Sequence, residues 1–321
     1  ASNKRRLSGV RRKCQGMKEA ASLVEQIDSA SNLRENETEE ALENAARDEE
    51  RQQALRKGEN LDCPSRFLTR CLNAIEESLR GQGVYYNNME DRPLFADAWG
   101  VEFLRCYMSG KDVLETSGMP TTSEQIAWMV SVAADTISRK EEKDLSVANP
   151  FLLYLVPFRE KAIKVRNVCK PLKELGIHTV SLHSGASLDH QIQGLKSCEP
   201  EFLVSTPERL MELISRQTID VSGVSFLVID GITSLLGEGY SDKLKSIRQS
   251  ISGNPFSVVF NDFLGSERPS ALPNLLSGSF CRLTIDHSIR CQGACIVQTV
   301  DVCSSELGKL SKPLAGHPSI E

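Results

Sequence analysis

The sequence predicts an α/β protein built on a doubly wound, mostly parallel sheet with a helical N-terminal extension. Two observations carry this. Seven short runs rich in β-branched and aromatic residues recur from residue 112: DVLE (112–115), FLLYLV (151–156), HTVSL (178–182), FLVS (202–205), FLVID (226–230), SVVF (257–260) and CRLTI (281–285). Several are continuously apolar rather than alternating, as expected for strands covered on both faces. Between them lie amphipathic stretches at roughly 123–138, 159–175, 188–196, 207–216, 241–252 and 269–276. Strands alternating with helices argue parallel crossovers in one sheet.

The region before the sheet has a different character. Residues 1–19 are expected to be a basic, disordered tail. Residues 20–57 are rich in Ala, Glu, Arg and Gln and lack Pro and Gly, so they favour helix. Acids come early and bases late in ENETEEALENAARDEERQQALRK, which suits the helix dipole. A second helix is expected near Ser65–Leu79, followed by the loop GQGVYYNNMEDRP. The organisation read from the sequence is therefore tail 1–19, helical extension 20–90, sheet lobe 91–310 and C-terminal tail 311–321.

Composition narrows the classes. The chain has 321 residues, 25% charged and 40% hydrophobic, which is ordinary for a globular protein. No apolar run approaches the ~20 residues needed to span a bilayer, so no membrane partner is expected. The ten cysteines are scattered and read as reduced, buried thiols. The spacing of Cys281, Cys291, Cys295 and Cys303 fits no standard zinc pattern. His178, His183 and His190 fall on different elements and read as surface or core histidines, so no metal site is expected. Net charge is −5, yet Lys4, Arg5, Arg6, Arg11, Arg12 and Lys13 lie together without an acid. Such a cluster reads as a nuclear-localisation signal or a nucleic-acid-binding arm, against the alternative of a solvated basic tail. Ala1 fits either a terminus left after removal of an initiator Met or the start of an excerpt from a longer chain.

In sheets of this kind ligands sit at the carboxyl ends of the strands. The informative residues should therefore follow each run: LVPFREKA (155–162), LHSGAS (182–187), STPERL (205–210) and Asp230. In order, these segments resemble the first helicase lobe of the DEAD-box RNA helicases, over about residues 92–310. VPFREKA is similar to that family's Pro-Thr-Arg-Glu-Leu-Ala segment and keeps Pro157, Arg159, Glu160 and Ala162. SGAS stands at the Gly-Gly turn and keeps Gly185. STPERL is similar to Thr-Pro-Gly-Arg and keeps Thr206, Pro207 and Arg209. FLVID stands where the Asp-Glu-Ala-Asp strand belongs, and SGKDVLE (109–115) resembles the strand entering the phosphate loop. The resemblance implies a RecA-like lobe with a P-loop NTPase fold.

The departures from the family bear on its chemistry. Its Gly-rich loop cradles phosphates with backbone N–H groups, a Lys and a Ser or Thr. Here ETSGMPTTSEQIAW follows DVL, leaving Gly118, Thr122 and Ser123 as remnants of a nucleotide-binding loop. The Lys position falls on Ser123 and the next on Glu124. Pro120 removes a donor. The adenine-reading Gln aligns near Gly100. Asp230 keeps the first acid of the strand motif, but Gly231 replaces the second and Thr233 the last. The family's Ser-Ala-Thr falls near Asn261, Asp262 and Phe263. Phosphoryl transfer needs metal, phosphate clamp and water-positioning group together. The expectation is that Asp230 is a degenerate remnant, that there is no catalytic residue, and that neither ATP nor magnesium is a cofactor. A second lobe, which in the family closes over ATP, is not expected in the residues that remain.

The better-kept segments are those that the family uses to hold the RNA backbone. Thr206 offers a hydroxyl at a helix N-terminus, Arg209 lies one turn on, Arg159 follows a strand, and Gly185 permits close backbone approach. Arg159, Gly185, Thr206 and Arg209 are thus the candidate nucleic-acid-binding residues. The competing reading is local: Thr206–Pro207 as an ordinary helix start, with Arg209 paired to Glu212. The sequence favours a catalytically degenerate, helicase-like protein that binds RNA or serves in a nuclear or nucleolar RNA-processing or ribosome-assembly complex with protein partners. A protein-interaction scaffold without RNA binding, and a fragment of an active ATP-dependent RNA helicase, are the alternatives.

Overall fold

The computed structural model describes residues 64–83, 93–262, 275–276, 279–285 and 295–300. The basic residues Lys4 to Lys13, the expected helix of residues 20–57, most of the 269–276 stretch, Phe263 and the tail 311–321 lie outside the described residues.

The seven expected strands all form: β1 Asp112–Glu115, β2 Leu152–Leu155, β3 Thr179–Leu182, β4 Phe202–Ser205, β5 Phe226–Asp230, β6 Phe256–Phe260 and β7 Phe280–Ile285. An eighth, β8 Cys295–Val300, was not legible in the sequence. The sheet order is β3-β4-β2-β5-β6-β1-β7-β8. Neighbours among the first seven are parallel, and β8 adds antiparallel to β7 at the edge.

Helices cover both faces. On one lie α1 Arg66–Gly81, α2 Ala98–Met108, α3 Ser123–Glu141 and α4 Arg159–Cys169. On the other lie α5 Leu188–Cys198, α6 Pro207–Ser215, α7 Ile232–Gly237 and α8 Ser241–Ser250. Strand alternation divides the residues of β5 between these layers. Phe226 and Val228 pack towards α1–α4, whereas Leu227 and Ile229 pack towards α5–α8. Burying side chains of this size stabilises by about 2 kcal/mol each. Phe226 adds ring contacts with Phe103, Tyr107 and Phe256.

Helix α1 belongs to the same compact unit as the sheet, residues 61–321. Its Leu68, Cys71, Leu72, Ile75 and Leu79 are buried in the first core layer. Ser65 caps the helix by accepting from Leu68 N at 3.0 Å, and its hydroxyl donates to Asp135 of α3. Cap and helix packing are thus tied together at one serine.

Candidate functional site

Two places at the carboxyl end of the sheet gather chemistry. The first centres on Asp230, the last residue of β5, which is 2% exposed. Its Oδ1 accepts from the Thr121 hydroxyl at 2.5 Å and from Lys161 Nζ at 2.8 Å. The Tyr154 hydroxyl donates to Oδ2 at 3.3 Å. Lys161 comes from the first turn of α4, and its side chain is 17% exposed. One turn on, Lys164 Nζ donates to the Thr121 carbonyl at 2.6 Å. Asp230, Thr121, Lys161 and Lys164, with Pro120, Glu160 and Val165, line a cleft of about 230 Å³.

The ammonium of Lys161 sits directly against the Asp230 carboxylate. A buried carboxylate requires a counter-charge, and here the chain supplies its own. Gly231 fits the same arrangement. Its φ is +86°, and a Cβ there would lie 3.1 Å from Asp262 Oδ2 and 3.3 Å from Lys161 Nζ. Asp262 in turn accepts from Thr233 N at 2.9 Å and from the Ser234 hydroxyl, while the Thr233 hydroxyl donates to Asn261 at 2.8 Å. The changed ends of β5 and β6 are therefore bonded to each other.

Two donors of the loop between β1 and α3 are bonded to neighbouring side chains. Ser117 N donates to Glu115 Oε1 at 3.0 Å. Thr122 is the N-cap of α3 in a capping box with Gln125: each backbone N–H donates to the other's side chain. Ser123 opens the helix and Glu124 puts an acid in its first turn. Gly118 adopts a positive φ of 70° between β1 and the helix. At the position aligned with the adenine-reading Gln, Gly100 is pressed against Trp128. A Cβ there would lie 1.9 Å from the indole Nε1, which donates to Leu94 O at 2.9 Å. Glu115 is fully buried, and its Oε2 has no partner. Burial, with the nearby Asp230 charge adding, pushes its pKa up to about 7 despite the Ser117 hydrogen bonds. Among the described residues no group of His, Cys, Asp or Glu is arranged to hold a metal.

The second place lies at the ends of β2, β4 and β3, which are neighbours in the sheet. Here the structure brings Arg159, Gly185 and Arg209 around His183. A Cβ on Gly185 would meet Arg159 Nη1 at 2.9 Å and His183 Nδ1 at 3.1 Å. His183 Nδ1 accepts from Gly185 N at 3.2 Å. Its pKa is lowered by partial burial and then by the charges of Arg159, Arg209 and Arg166. The imidazole thus registers the positive field of this edge. Thr206 sits at the same edge, its N–H bonded to Leu182 O at 3.1 Å. It is the N-cap of α6, yet its side chain makes no capping hydrogen bond. Arg209 does pair with Glu212, at 3.3 Å, and is only 12% exposed. Arg159 is more open, at 56%, and pairs with its neighbour Glu160 at 2.9 Å.

Sequence reasoning singled out Asp230 and these edge residues but missed Lys161, Thr121 and Glu115. A signal for Lys161 was present: it replaces the Leu of the Pro-Thr-Arg-Glu-Leu-Ala segment. Thr121 carried no signal, because its role depends on how the loop folds over β5.

Residues 126–261 match the family profile described as DEAD/DEAH box helicase. The chain is 28% identical over 155 residues to DEAD-box ATP-dependent RNA helicase 53 of Oryza sativa subsp. japonica, covering 48% of this chain and 25% of that protein. It is 29% identical over 156 residues to ATP-dependent RNA helicase DeaD of Buchnera aphidicola, covering 48% and 24%. The matched part spans about a quarter of the length of such relatives. In three dimensions the chain is similar to a hypothetical ATP-dependent RNA helicase from Sulfolobus tokodaii, with a TM-score of 0.50 and 17% identity. That match covers 66% of this chain and 56% of the other. At that identity the likeness carries the fold alone, a RecA-like α/β lobe.

Proposed function

We propose that this chain, whose residues 126–261 form a DEAD-box RNA helicase-like domain, binds the RNA backbone without turning over ATP. The observation that carries the first half is the meeting of Arg159, Gly185, Thr206 and Arg209 at the adjoining ends of β2, β3 and β4. Phosphates favour a helix N-terminus whose N–H groups and hydroxyl are free, flanked by guanidinium groups. Thr206 leaves its hydroxyl out of the cap, and three arginines supply the field.

The second half rests on the Asp230 cleft. A lysine ammonium neutralises the only acid kept from the strand motif. An indole fills the room beside Gly100, and the N–H groups of Ser117 and Thr122 are bonded to Glu115 and Gln125. These residues do not fit a magnesium-bound nucleoside triphosphate. A role in a nuclear or nucleolar RNA-processing or ribosome-assembly complex extends this reading. It is supported by the basic cluster Lys4–Lys13, which adds affinity for RNA and reads as a nuclear-import signal.

A scaffold without RNA binding is the second reading, favoured by the Arg209–Glu212 pair and the net charge of −5. The test is RNA affinity by fluorescence anisotropy across a salt series, with ATP turnover measured in parallel with and without RNA. The expected result is affinity that falls with salt and drops in the R159A/R209A double variant, with no ATP turnover. Affinity unchanged in that variant overturns the binding edge. RNA-stimulated turnover lost on D230A overturns the degenerate reading and restores an active helicase.

A further inference from the structure

Phe158 has no structural employment that explains its place. It precedes Arg159 at the start of α4 and is 44% exposed, although its neighbour Pro157 is buried. It is the N-cap residue of α4 and makes no side-chain capping hydrogen bond. Ser, Thr, Asp or Asn would stabilise the helix there by about 1 kcal/mol over an apolar residue. The family's segment has Thr at this position. None of the ring pairs among the described residues involves Phe158. An uncapping, solvent-facing aromatic is thus held next to Arg159, an exposed arginine of the cationic edge.

The sheet fixes its neighbours. Leu155 pairs with Ser205, and Ser205 pairs with Leu182. Val156 N continues the ladder to Ser205 O at 3.0 Å, and Thr206 N to Leu182 O at 3.1 Å. Phe158 therefore leaves the sheet two residues after the point where β2 adjoins the Thr206 helix start. Adjacent strands lie about 4.8 Å apart, so the three strand ends span roughly 10 Å. That is the length of a short run of single-stranded nucleotides. Positive charge that tracks a backbone, with an aromatic face beside it, is the pairing that single-stranded nucleic acid requires.

We propose that Phe158 is a stacking platform for an unpaired base of single-stranded RNA whose phosphates lie on Arg159, Thr206 and Arg209. This rests on the RNA-binding reading above and adds a base contact to it. Stacking accepts any base, so the platform selects unpaired over paired RNA rather than a sequence.

The experiment compares the full chain with F158A and F158Y. The probe is a fluorescein-labelled single-stranded oligoadenylate of ~10 nucleotides, used beside a version made abasic throughout. Wild type and F158Y should bind the intact probe alike, and F158A about tenfold more weakly. The salt slope should stay the same in all three, because no phosphate contact is lost. On the abasic probe the difference between wild type and F158A should vanish. Equal affinity of F158A and wild type for the intact probe overturns the platform. In that case a loss in R159A/R209A leaves backbone binding standing. No salt-dependent affinity in wild type overturns both.

Discussion

Lys161 Nζ lies 2.8 Å from Asp230 Oδ1, and the two side chains are 17% and 3% exposed. The pair joins the first turn of α4 to the end of β5, and the Thr121 hydroxyl bonds the same oxygen. Removing one partner of a buried pair leaves the other charged and unsatisfied, which costs more than the pair itself contributes. D230A and K161M should each destabilise by about 3 kcal/mol. The double variant K161M/D230A should recover much of that loss, since both charges are gone. Urea denaturation of the four proteins measures the coupling. Additive losses would mean that Lys161 is not the counter-ion of Asp230.

Glu115 makes stability depend on pH in the opposite sense to an ordinary paired acid. Burial raises its pKa from 4.5 to about 7. Below about pH 4.5 it is protonated in both the folded and the unfolded chain. As pH rises from there through about 7, the unfolded chain ionises first. The folded state then loses up to about 3 kcal/mol of relative stability. E115Q cannot ionise, so the fall in stability between about pH 5 and about pH 8 should shrink by that amount. Thermal melts at the two pH values would expose the difference. Parallel curves for wild type and E115Q would rule out Glu115 as the titrating group.

What the sequence revealed, and what it hid, divides along physical lines. Strands such as FLVID and FLLYLV are continuous apolar runs, and that pattern depends only on burial on both faces. The rule that ligands sit at carboxyl ends pointed to the strand-end segments, and the resemblance to the DEAD-box helicases singled out Arg159, Gly185, Thr206 and Arg209 within them. Lys161 was hidden because a lysine on a helix is ordinarily solvated; only the fold reveals that this one points at Asp230. The unpaired Oε2 of Glu115 is likewise a property of three dimensions. Helix α7 has six residues, too few to show a period, and its start rests on Asp262, 28 residues beyond Ser234. Helix α2 escaped because AWGVEFLRCYM buries Trp99, Phe103 and Cys106 among aromatics without a wide polar face.

Gly100 and Trp128 make a separate test of the nucleotide cleft. The Cβ of any other residue at 100 would lie 1.9 Å from the indole Nε1, whose hydrogen bond to Leu94 O holds the ring in place. Overpacking at such a site costs about 3 kcal/mol. G100A should lower the urea midpoint accordingly. G100Q, which supplies the side chain that the family uses to read adenine, should unfold more readily still and should not restore ATP binding. A stable G100Q that binds ATP would show that the indole is no obstacle.

Gly185 tests the cationic edge without removing any charge. Its backbone does not occupy the left-handed region, so an added methyl introduces no backbone strain. That methyl would lie 2.9 Å from Arg159 Nη1 and 3.0 Å from Arg159 Cδ, atoms of a flexible and largely exposed side chain. G185A should therefore push the guanidinium aside and leave stability within about 0.5 kcal/mol of wild type. If Arg159 holds a phosphate beside Gly185, the displaced contact should lower RNA affinity about fivefold. The slope of log affinity against log salt should fall by about one. A scaffold that never meets RNA would show no change on either axis. Unchanged affinity in G185A, alongside a loss in R159A/R209A, would place the phosphate at Arg209 and Thr206 instead.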